Sequence, residues 1–305
     1  MNSFKYFSGA IASLYFFLVF RNRSSRRGGR WKFYILSCSV LSRQDKIKEE
    51  NRNSGGMSDR HAYIEEVFSS IQGEGIFVGV RQVFVRFYGC NLRCSYCDTS
   101  ETRAGNPVFC RVWRGCGSEC FSETLENPLG VDIVADLIRD LWSPSTRHVS
   151  LTGGEPLLQS RFIRRLAERV EMPFYLETNS TLPGAAVDVA GVIDVAACDI
   201  KLEESGVEDG RGVLFKRSLE TIEIFNDSDC LVFAKIMILP KTTVATIMPA
   251  VTSIAEINPE IPLVLQPVTP HRSNPERLTE MMDAAGRYLR DVRVIPQTQR
   301  VLGVL

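Results

Sequence analysis

Three cysteines, separated by three residues and then by two, are the part of this sequence best equipped to do chemistry. Cys90, Cys94 and Cys97 lie in the segment 88–99, and the aromatic Tyr96 directly precedes the third cysteine. Three thiolates can bind three irons of a cubane iron–sulfur cluster and leave the fourth iron open to a small molecule. Ferredoxins normally supply four cysteines. A cluster with three protein ligands therefore indicates a reaction site rather than a simple electron carrier.

A zinc site, a disulfide with a spare thiol, and three buried core cysteines are the alternative interpretations of this spacing. Zinc sites usually have four closed ligands, and neither a fourth cysteine nor a histidine lies at finger spacing. His61, His148 and His271 are all remote from the cysteines in sequence. Disulfides need an oxidising compartment, to which nothing here points convincingly. The cluster is the interpretation that we favour.

The elements around these cysteines alternate between strand-like and helix-like segments after residue 57, which is typical of parallel βα units. A short apolar strand ends just before Cys90, and a cysteine loop after a strand fits a barrel whose active site lies at the carboxyl ends of its strands. The sequence predicts a partial (β/α)6-type TIM barrel. The candidate strands are 82–88, 148–152, 173–177, 194–199, 230–237, 262–266 and 292–295, and the candidate helices are 131–142, 160–170, 217–225, 243–256 and 274–290.

Residues 101–126 form an insertion after the cysteine loop, and we expect it to be irregular. It contains Cys110, Cys116 and Cys120, which are separated by five residues and then by three. These thiols could hold a second cluster, a zinc ion or a disulfide, but the spacing matches no common site. We expect plain thiols in a loop.

Charge divides the chain at about residue 56. The first 56 residues contain eleven Lys and Arg against three acidic residues, whereas the whole chain is neutral, so residues 57–305 are acidic. An acidic catalytic body argues against a nucleic-acid substrate. Residues 4–20 are apolar, but seventeen residues are at the short limit for a membrane span. We expect residues 1–56 to be a non-native extension ahead of a start at Met57, with a disordered or anchoring tail as the alternative.

Two further motifs and one charged residue belong to the predicted site. The segment Thr152–Pro156 places two glycines and Glu155 after an apolar strand, where glycine lets the backbone approach a ligand closely. Residues 71–75 read Ile-Gln-Gly-Glu-Gly and precede the first predicted strand. Arg86 lies on that strand, and an inward-facing arginine needs an anionic partner. The partner is either a substrate carboxylate or a carboxylate of the fold.

These motifs together resemble a known family. The cysteine spacing and the Thr-Gly-Gly-Glu-Pro segment resemble the radical S-adenosylmethionine (SAM) superfamily. Gln-Gly-Glu-Gly, Phe-Val-Arg and Cys-Asp-Thr narrow the resemblance to the 7-carboxy-7-deazaguanine synthase family, over residues 62–305. The resemblance implies a radical SAM partial barrel. It also implies rearrangement of 6-carboxy-5,6,7,8-tetrahydropterin to 7-carboxy-7-deazaguanine with loss of ammonia, on the pathway to queuosine or archaeosine in tRNA.

The resemblance also implies the cofactors and the residues that hold them. A [4Fe–4S] cluster, SAM and Mg²⁺ are expected, with SAM cleaved to a 5′-deoxyadenosyl radical and Glu155 helping to hold its amino group. Gln299 stands where a histidine is usual in the family. The metal ligands would be Cys90, Cys94 and Cys97 for iron and Thr99 for Mg²⁺. The other cofactor contacts would be Tyr96, Cys97, Asp98, Gly153, Gly154, Glu155, Glu177, Thr178, Asn179, Asp199 and Lys201, and the substrate contacts Ile71, Gln72, Gly73, Arg86 and Thr152.

The same resemblance implies a small-molecule pterin substrate, flavodoxin or ferredoxin as electron donor, and a homodimer. It implies a cytoplasmic enzyme, with no direct contact to nucleic acid and no membrane. Two other functions stay open at this point. One is a different radical SAM enzyme, such as a glycyl-radical activating enzyme, which would need a groove for a protein substrate. The other is an iron–sulfur or zinc module without catalysis.

Overall fold

The structure is a computed structural model. It describes residues 59–97, 106–114, 121–207, 212–268 and 274–304. The chain divides into two compact units, Met1–Gly55 and Gly56–Leu305, and the described residues all belong to the second. The predicted N-terminal extension therefore lies outside the described residues, as do Asp98, Thr99, Cys116 and Cys120.

Strands and helices alternate along the described residues, and each predicted strand and helix overlaps an observed one. The strands are β1 (His61–Ala62), β2 (Ile64–Ile71), β3 (Arg81–Phe87), β4 (Phe109–Arg114), β5 (Phe121–Glu126), β6 (Leu129–Gly130), β7 (Thr146–Gly153), β8 (Phe174–Thr178), β9 (Val195–Ile200), β10 (Leu231–Ile238), β11 (Leu263–Pro267) and β12 (Val292–Val294). The helices are α1 (Val131–Leu141), α2 (Ser160–Ala167), α3 (Pro183–Val189), α4 (Val213–Asn226), α5 (Val244–Ile257), α6 (Pro275–Ala285) and α7 (Gln299–Leu302).

Ten strands form one sheet in the order β12-β11-β10-β9-β8-β7-β3-β2-β4-β5. From β3 to β12 neighbouring strands are parallel and follow chain order. A helix connects each strand of the run β7 to β12 to the next one, as expected of a partial βα barrel. We expected about six parallel strands; the seventh, β12, has only three residues.

The edge beyond β3 differs from the prediction. Strand β2 lies antiparallel to β3, and β4 and β5 form an antiparallel pair that continues the sheet. The expectation of an irregular insertion is therefore wrong for 109–114 and 121–126. Cys110 and Val112 are fully buried while Phe109 and Arg111 are exposed, so β4 does alternate. The run is short and ends in charged residues, which hides the alternation.

The two faces of the parallel sheet differ in chemistry. One face packs on the helices and holds the main apolar core. Residues i and i+2 of a strand point to the same face of a sheet. On the opposite face, each of four neighbouring strands has an apolar residue and, two positions later, a polar one. The pairs are Tyr175 and Glu177 on β8, Ala197 and Asp199 on β9, Phe233 and Lys235 on β10, and Val264 and Gln266 on β11. A polar layer thus lies above an apolar one, toward the carboxyl ends of the strands.

None of the helices in the described part of the chain has the length and apolar character needed to cross a membrane.

Candidate active site

The polar layer opens into a cavity of about 390 Å³ at the carboxyl ends of the parallel strands. Barrel enzymes place their active sites at this end, since loops from several strands meet there. The cavity is lined by the cysteine loop, the turn after β7, the ends of β8 to β11, strand β3, the segment between β2 and β3, and the segment 297–300.

Cys90, Cys94 and Cys97 all line this cavity. Their loop is anchored to the barrel, since the Ser95 amide donates to the Ser205 carbonyl at 2.9 Å. Burial raises the pKa of the Cys90 and Cys94 thiols, so a cation is needed to hold them as thiolates. In the described part of the chain, no three His, Cys, Asp or Glu side chains converge on a single-ion site. Three thiols on one loop that face one cavity fit a cluster with an open iron.

The turn after β7 is sealed onto the loop that leads to Cys90. The Gly154 amide donates to the Phe87 carbonyl at 3.0 Å, and the Glu155 amide donates to the Gly89 carbonyl at 2.8 Å. Gly153 has φ +124°, and a Cβ there would collide with the backbone of Phe87, while one at Gly154 would collide with Gly89. Only glycine permits this approach, which brings the turn and the cysteine loop to the same wall of the cavity.

Glu155 does not line the cavity, although we expected it to contact SAM. Its side chain is fully buried and accepts hydrogen bonds from the Leu157 amide at 2.9 Å, the Thr178 hydroxyl at 2.8 Å and the Asn179 amide at 2.7 Å. Burial raises its pKa to about 7, and these donors oppose that shift. The carboxylate therefore joins the turn after β7 to the end of β8.

The other predicted cofactor contacts that the structure describes do line the cavity. Thr178 and Asn179 end β8, and the Asn179 amide group donates to Asn91 of the cysteine loop at 2.9 Å. Lys201 pairs with Asp199 Oδ2 at 2.6 Å, and its ammonium lies 5.3 Å from the centre of the Tyr96 ring. The second oxygen, Asp199 Oδ1, has no hydrogen-bond partner among the residues that the structure describes. A buried acceptor beside the cysteine loop is suited to a donor on a ligand.

On the far side of the cavity, Glu177 organises the predicted substrate residues. Gln72 donates to Glu177 Oε1 at 2.8 Å, and the Thr152 hydroxyl donates to Oε2 at 2.8 Å. Burial raises the pKa of Glu177, which Lys235 opposes. Ile71 and Gly73 also line the cavity. Both oxygens of Glu177 are thus occupied by protein donors.

A buried ion pair in the same wall was not predicted. Lys235 Nζ lies 2.8 Å from Glu74 Oε2, and Gln297 and Gln299 donate to Oε1 at 2.9 and 3.0 Å. Burial opposes ionisation of Glu74, but the charge of Lys235 and these donors hold its pKa well below its usual range. The sequence did contain a signal for Lys235, because it is the one charged residue in the otherwise apolar strand β10. Gln299 takes part in this network at the position where a histidine was expected.

Arg86 lines the cavity and is paired with a carboxylate of the fold. Its Nε donates to Glu66 Oε1 at 2.8 Å, and its guanidinium carbon lies 5.5 Å from the centre of the Phe68 ring. The alternative partner weighed for Arg86 is therefore present, although the side chain stays 21% exposed toward the cavity.

The structure brings together most of the predicted site. The predicted residues that line the one cavity are Ile71, Gln72, Gly73, Arg86, Cys90, Cys94, Tyr96, Cys97, Thr152, Gly153, Gly154, Glu177, Thr178, Asn179, Asp199 and Lys201. Glu155 lies behind its wall, and Asp98 and Thr99 lie outside the described residues.

Comparison with known proteins identifies sequences and structures that this chain resembles. The profile of the Radical SAM superfamily matches residues 84–254. A 7-carboxy-7-deazaguanine synthase of Geobacter sulfurreducens is 39% identical over 259 residues, which cover 82% of this chain and 100% of that protein. A protein of the same name from Methanothermobacter thermautotrophicus is 38% identical, over 80% of this chain and 98% of its own. The crystal structure of QueE from Escherichia coli has a TM-score of 0.48 at 19% identity, over 78% of this chain and 94% of that one.

Proposed function

The chain belongs to the radical SAM superfamily and, within it, to the 7-carboxy-7-deazaguanine synthases. From this premise we propose which residues of its cavity bind the cofactors and which bind the substrate. It is a radical SAM enzyme of the 7-deazaguanine pathway, and the family implies a [4Fe–4S] cluster, SAM and a small-molecule substrate. The proposed reaction converts 6-carboxy-5,6,7,8-tetrahydropterin to 7-carboxy-7-deazaguanine with loss of ammonia. The observation that carries it is that three thiols and a layer of polar side chains line one cavity.

The wall formed by the cysteine loop and the turn after β7 binds the cofactors. Cys90, Cys94 and Cys97 hold the cluster, and the Gly153–Gly154 backbone accommodates the methionine end of SAM. The unpartnered Asp199 Oδ1 accepts a hydrogen bond from SAM. When bound, the reduced cluster and SAM supply the 5′-deoxyadenosyl radical that starts the reaction.

A second group of cavity residues, Gln72, Thr152 and Arg86, binds and orients the pterin. Gln72 donates to Glu177 and to Gln82, and the Thr152 hydroxyl donates to Glu177, so the groups that they can offer to the substrate are acceptor oxygens in fixed positions. Arg86 offers its guanidinium to the substrate carboxylate, because an arginine fork suits a carboxylate bidentately. The fixed acceptor oxygens and the Arg86 fork hold the substrate in a single orientation relative to the cofactors, which favours reaction at one carbon.

Magnesium is the third proposed component. Thr99, which lies outside the described residues, would supply a hydroxyl oxygen to the ion, because a hard cation prefers oxygen ligands. Thr99→Ala is expected to lower turnover and its response to added Mg²⁺ while iron content stays normal. A Mg²⁺ titration of the rate that is identical in wild type and variant would exclude Thr99 from the shell.

The proposed reaction is tested by anaerobic incubation of the reconstituted enzyme with dithionite, SAM, Mg²⁺ and the carboxypterin. The expected product is 7-carboxy-7-deazaguanine, detected by mass, with ammonia released in equal amount. SAM cleavage that is independent of the pterin, with no such product, would favour a different radical SAM reaction. The Cys94→Ala variant serves as the control for cluster-dependent chemistry.

Arg86→Lys tests the substrate side separately. Lysine keeps the charge but loses the fork, and the loss of one charge-assisted pair costs on the order of 2 kcal/mol, or about thirtyfold in affinity for the carboxypterin. SAM affinity and iron content are expected to stay unchanged. Anaerobic calorimetry with the unreduced enzyme measures both affinities, and normal pterin binding would leave Arg86 as an ion-pair partner only.

The remaining proposals concern the cellular setting. We propose flavodoxin or ferredoxin as the reductant, because the cluster must accept an electron before SAM is cleaved. A homodimer, a cytoplasmic location and the absence of direct nucleic-acid contact follow from the family resemblance. A reducing compartment suits a site built on free thiols.

A further inference from the structure

Three strands at the edge of the sheet are joined by one carboxylate. Glu66 on β2 lies directly opposite Arg86 on β3 and accepts from its Nε with Oε1 at 2.8 Å. The other oxygen, Oε2, accepts from the indole nitrogen of Trp113 on β4 at 2.8 Å. The Glu66 side chain is only 15% exposed. A strand of the insertion thereby contacts, through one residue, an arginine of the cavity wall.

The bond to Nε limits how Arg86 can bind an anion. A guanidinium binds a carboxylate bidentately either through Nε and one Nη or through its two Nη nitrogens. Glu66 occupies Nε, and the Arg86 guanidinium donates no other hydrogen bond within the described residues. The Nη pair is therefore the fork that stays available to a ligand. Phe68, stacked on Phe84 with ring centres 5.0 Å apart, lies under the guanidinium and restricts its tilt.

Trp113 in turn fixes Glu66. A glutamate side chain has several rotamers, and its carboxylate can rotate about its last bond. A second donor on Oε2 removes that freedom, because both oxygens must then meet partners on two different strands. Burial adds to the constraint, since breaking either bond leaves a poorly solvated polar group.

We propose that Trp113, acting through Glu66, is a positioning residue that sets the direction of the Arg86 fork and so the affinity of the enzyme for the carboxyl group of its substrate. This inference rests on the proposed function, in which Arg86 binds that carboxyl group. It gives the β4–β5 hairpin a role in substrate selection, which no motif of the sequence indicated.

The test compares two ligands in the unreduced holoenzyme with SAM present, by anaerobic calorimetry. One ligand is the carboxypterin, and the other is tetrahydropterin without the 6-carboxyl group. Trp113→Phe keeps an aromatic ring but removes the N–H donor, and it is expected to weaken carboxypterin binding roughly five- to tenfold. Binding of tetrahydropterin and of SAM is expected to be unchanged. Trp142 is a half-buried tryptophan at the end of α1, and Trp142→Phe is the matched control. It should not change the affinity for either ligand.

Glu66→Gln is the second variant, because an amide can accept only one of the two donors. It should weaken carboxypterin binding at least as much as Trp113→Phe. The Trp113→Phe, Glu66→Gln double variant should bind the carboxypterin no more weakly than Glu66→Gln alone, since both substitutions act through the same contacts.

The outcomes separate this inference from the proposed function. Normal carboxypterin binding by Trp113→Phe, with a loss in Arg86→Lys, would overturn the positioning role and leave the function of Arg86 intact. Equal weakening of both pterins would also overturn it, because the hairpin would then only support the cavity wall. Normal binding by Arg86→Lys as well would mean that the carboxylate site lies elsewhere and that the proposed function of Arg86 is wrong.

Discussion

Replacement of Lys235 by methionine removes the positive charge from a buried pair and leaves its partner in place. Lys235 and Glu74 are 12% and 16% exposed, and their charged atoms are 2.8 Å apart. Removal of one partner of a buried pair costs about 3–5 kcal/mol, because the other charge stays uncompensated. Gln297 and Gln299 still donate to Glu74, so we expect a loss near the lower limit, about 3 kcal/mol. Burial would then dominate and raise the pKa of Glu74 above its usual range.

The double variant with Glu74→Gln should recover most of that loss, since the carboxylate that was paired with Lys235 no longer carries a charge. Urea unfolding monitored by circular dichroism measures the difference in the free energy of unfolding, which follows from the shift in the urea midpoint when the m-value is unchanged. Lys241→Met is the control, because Lys241 is exposed and a surface change of this kind is expected to stay within about 0.5 kcal/mol.

Two results would refute this reasoning. A single Lys235→Met variant as stable as wild type would mean that Glu74 is compensated by its amide donors alone. A double variant less stable than the single one would mean that Glu74 stabilises the fold even without Lys235, so that its charge is not left uncompensated.

Three further predictions follow from the same structure. Cys90→Ala should abolish the brown chromophore and SAM cleavage together, whereas Cys110→Ala should leave about one cluster per chain; halved iron content in the latter would indicate a second cluster. Glu155→Gln places an amide N–H against a backbone donor, so we expect a loss of about 2 kcal/mol in the free energy of unfolding, and unchanged stability would contradict the hydrogen bonds described. The lowered pKa of Glu74 contributes stability that is present above about pH 4.5 and is lost as the pH falls toward about 2. Across this range, the free energy of unfolding of wild type should fall on the order of 3 kcal/mol more than that of the Lys235→Met, Glu74→Gln double variant. Parallel curves of unfolding free energy against pH would disprove the contribution.

The parallel part of the fold could be predicted because its strands are apolar on both faces or alternate clearly. Strand β2 could not, since Glu65, Glu66 and two serines interrupt its apolar pattern and a register shift lies between Ile64 and Glu66. It lies between β3, the next strand in the chain, and β4, which comes only after the cysteine loop. Local pattern carries no information about such a partner.

The site could be predicted where strand ends and glycine turns fix the position of a residue, as for Gly153 and Asp199. The direction of a side chain is a different matter. The sequence places Glu155 beside two glycines, but only the fold shows that its carboxylate turns away from the cavity toward the end of β8. The pairing of Glu74 with Lys235 joins residues 161 positions apart, and no spacing rule reaches that far.

The hydrogen bonds that seal the turn after β7 onto the cysteine loop have a consequence for affinity. Phe87, Gly89 and Glu155 hold these two segments together with backbone atoms and buried groups of the protein. Conformational entropy of this wall is therefore lost when the chain folds and not when a ligand arrives. Ordering of loops is one of the terms that weaken association, so a wall ordered in advance leaves more of the contact energy available for binding. Preorganisation of the receptor, as well as its chemistry, is thus built into a turn of two glycines.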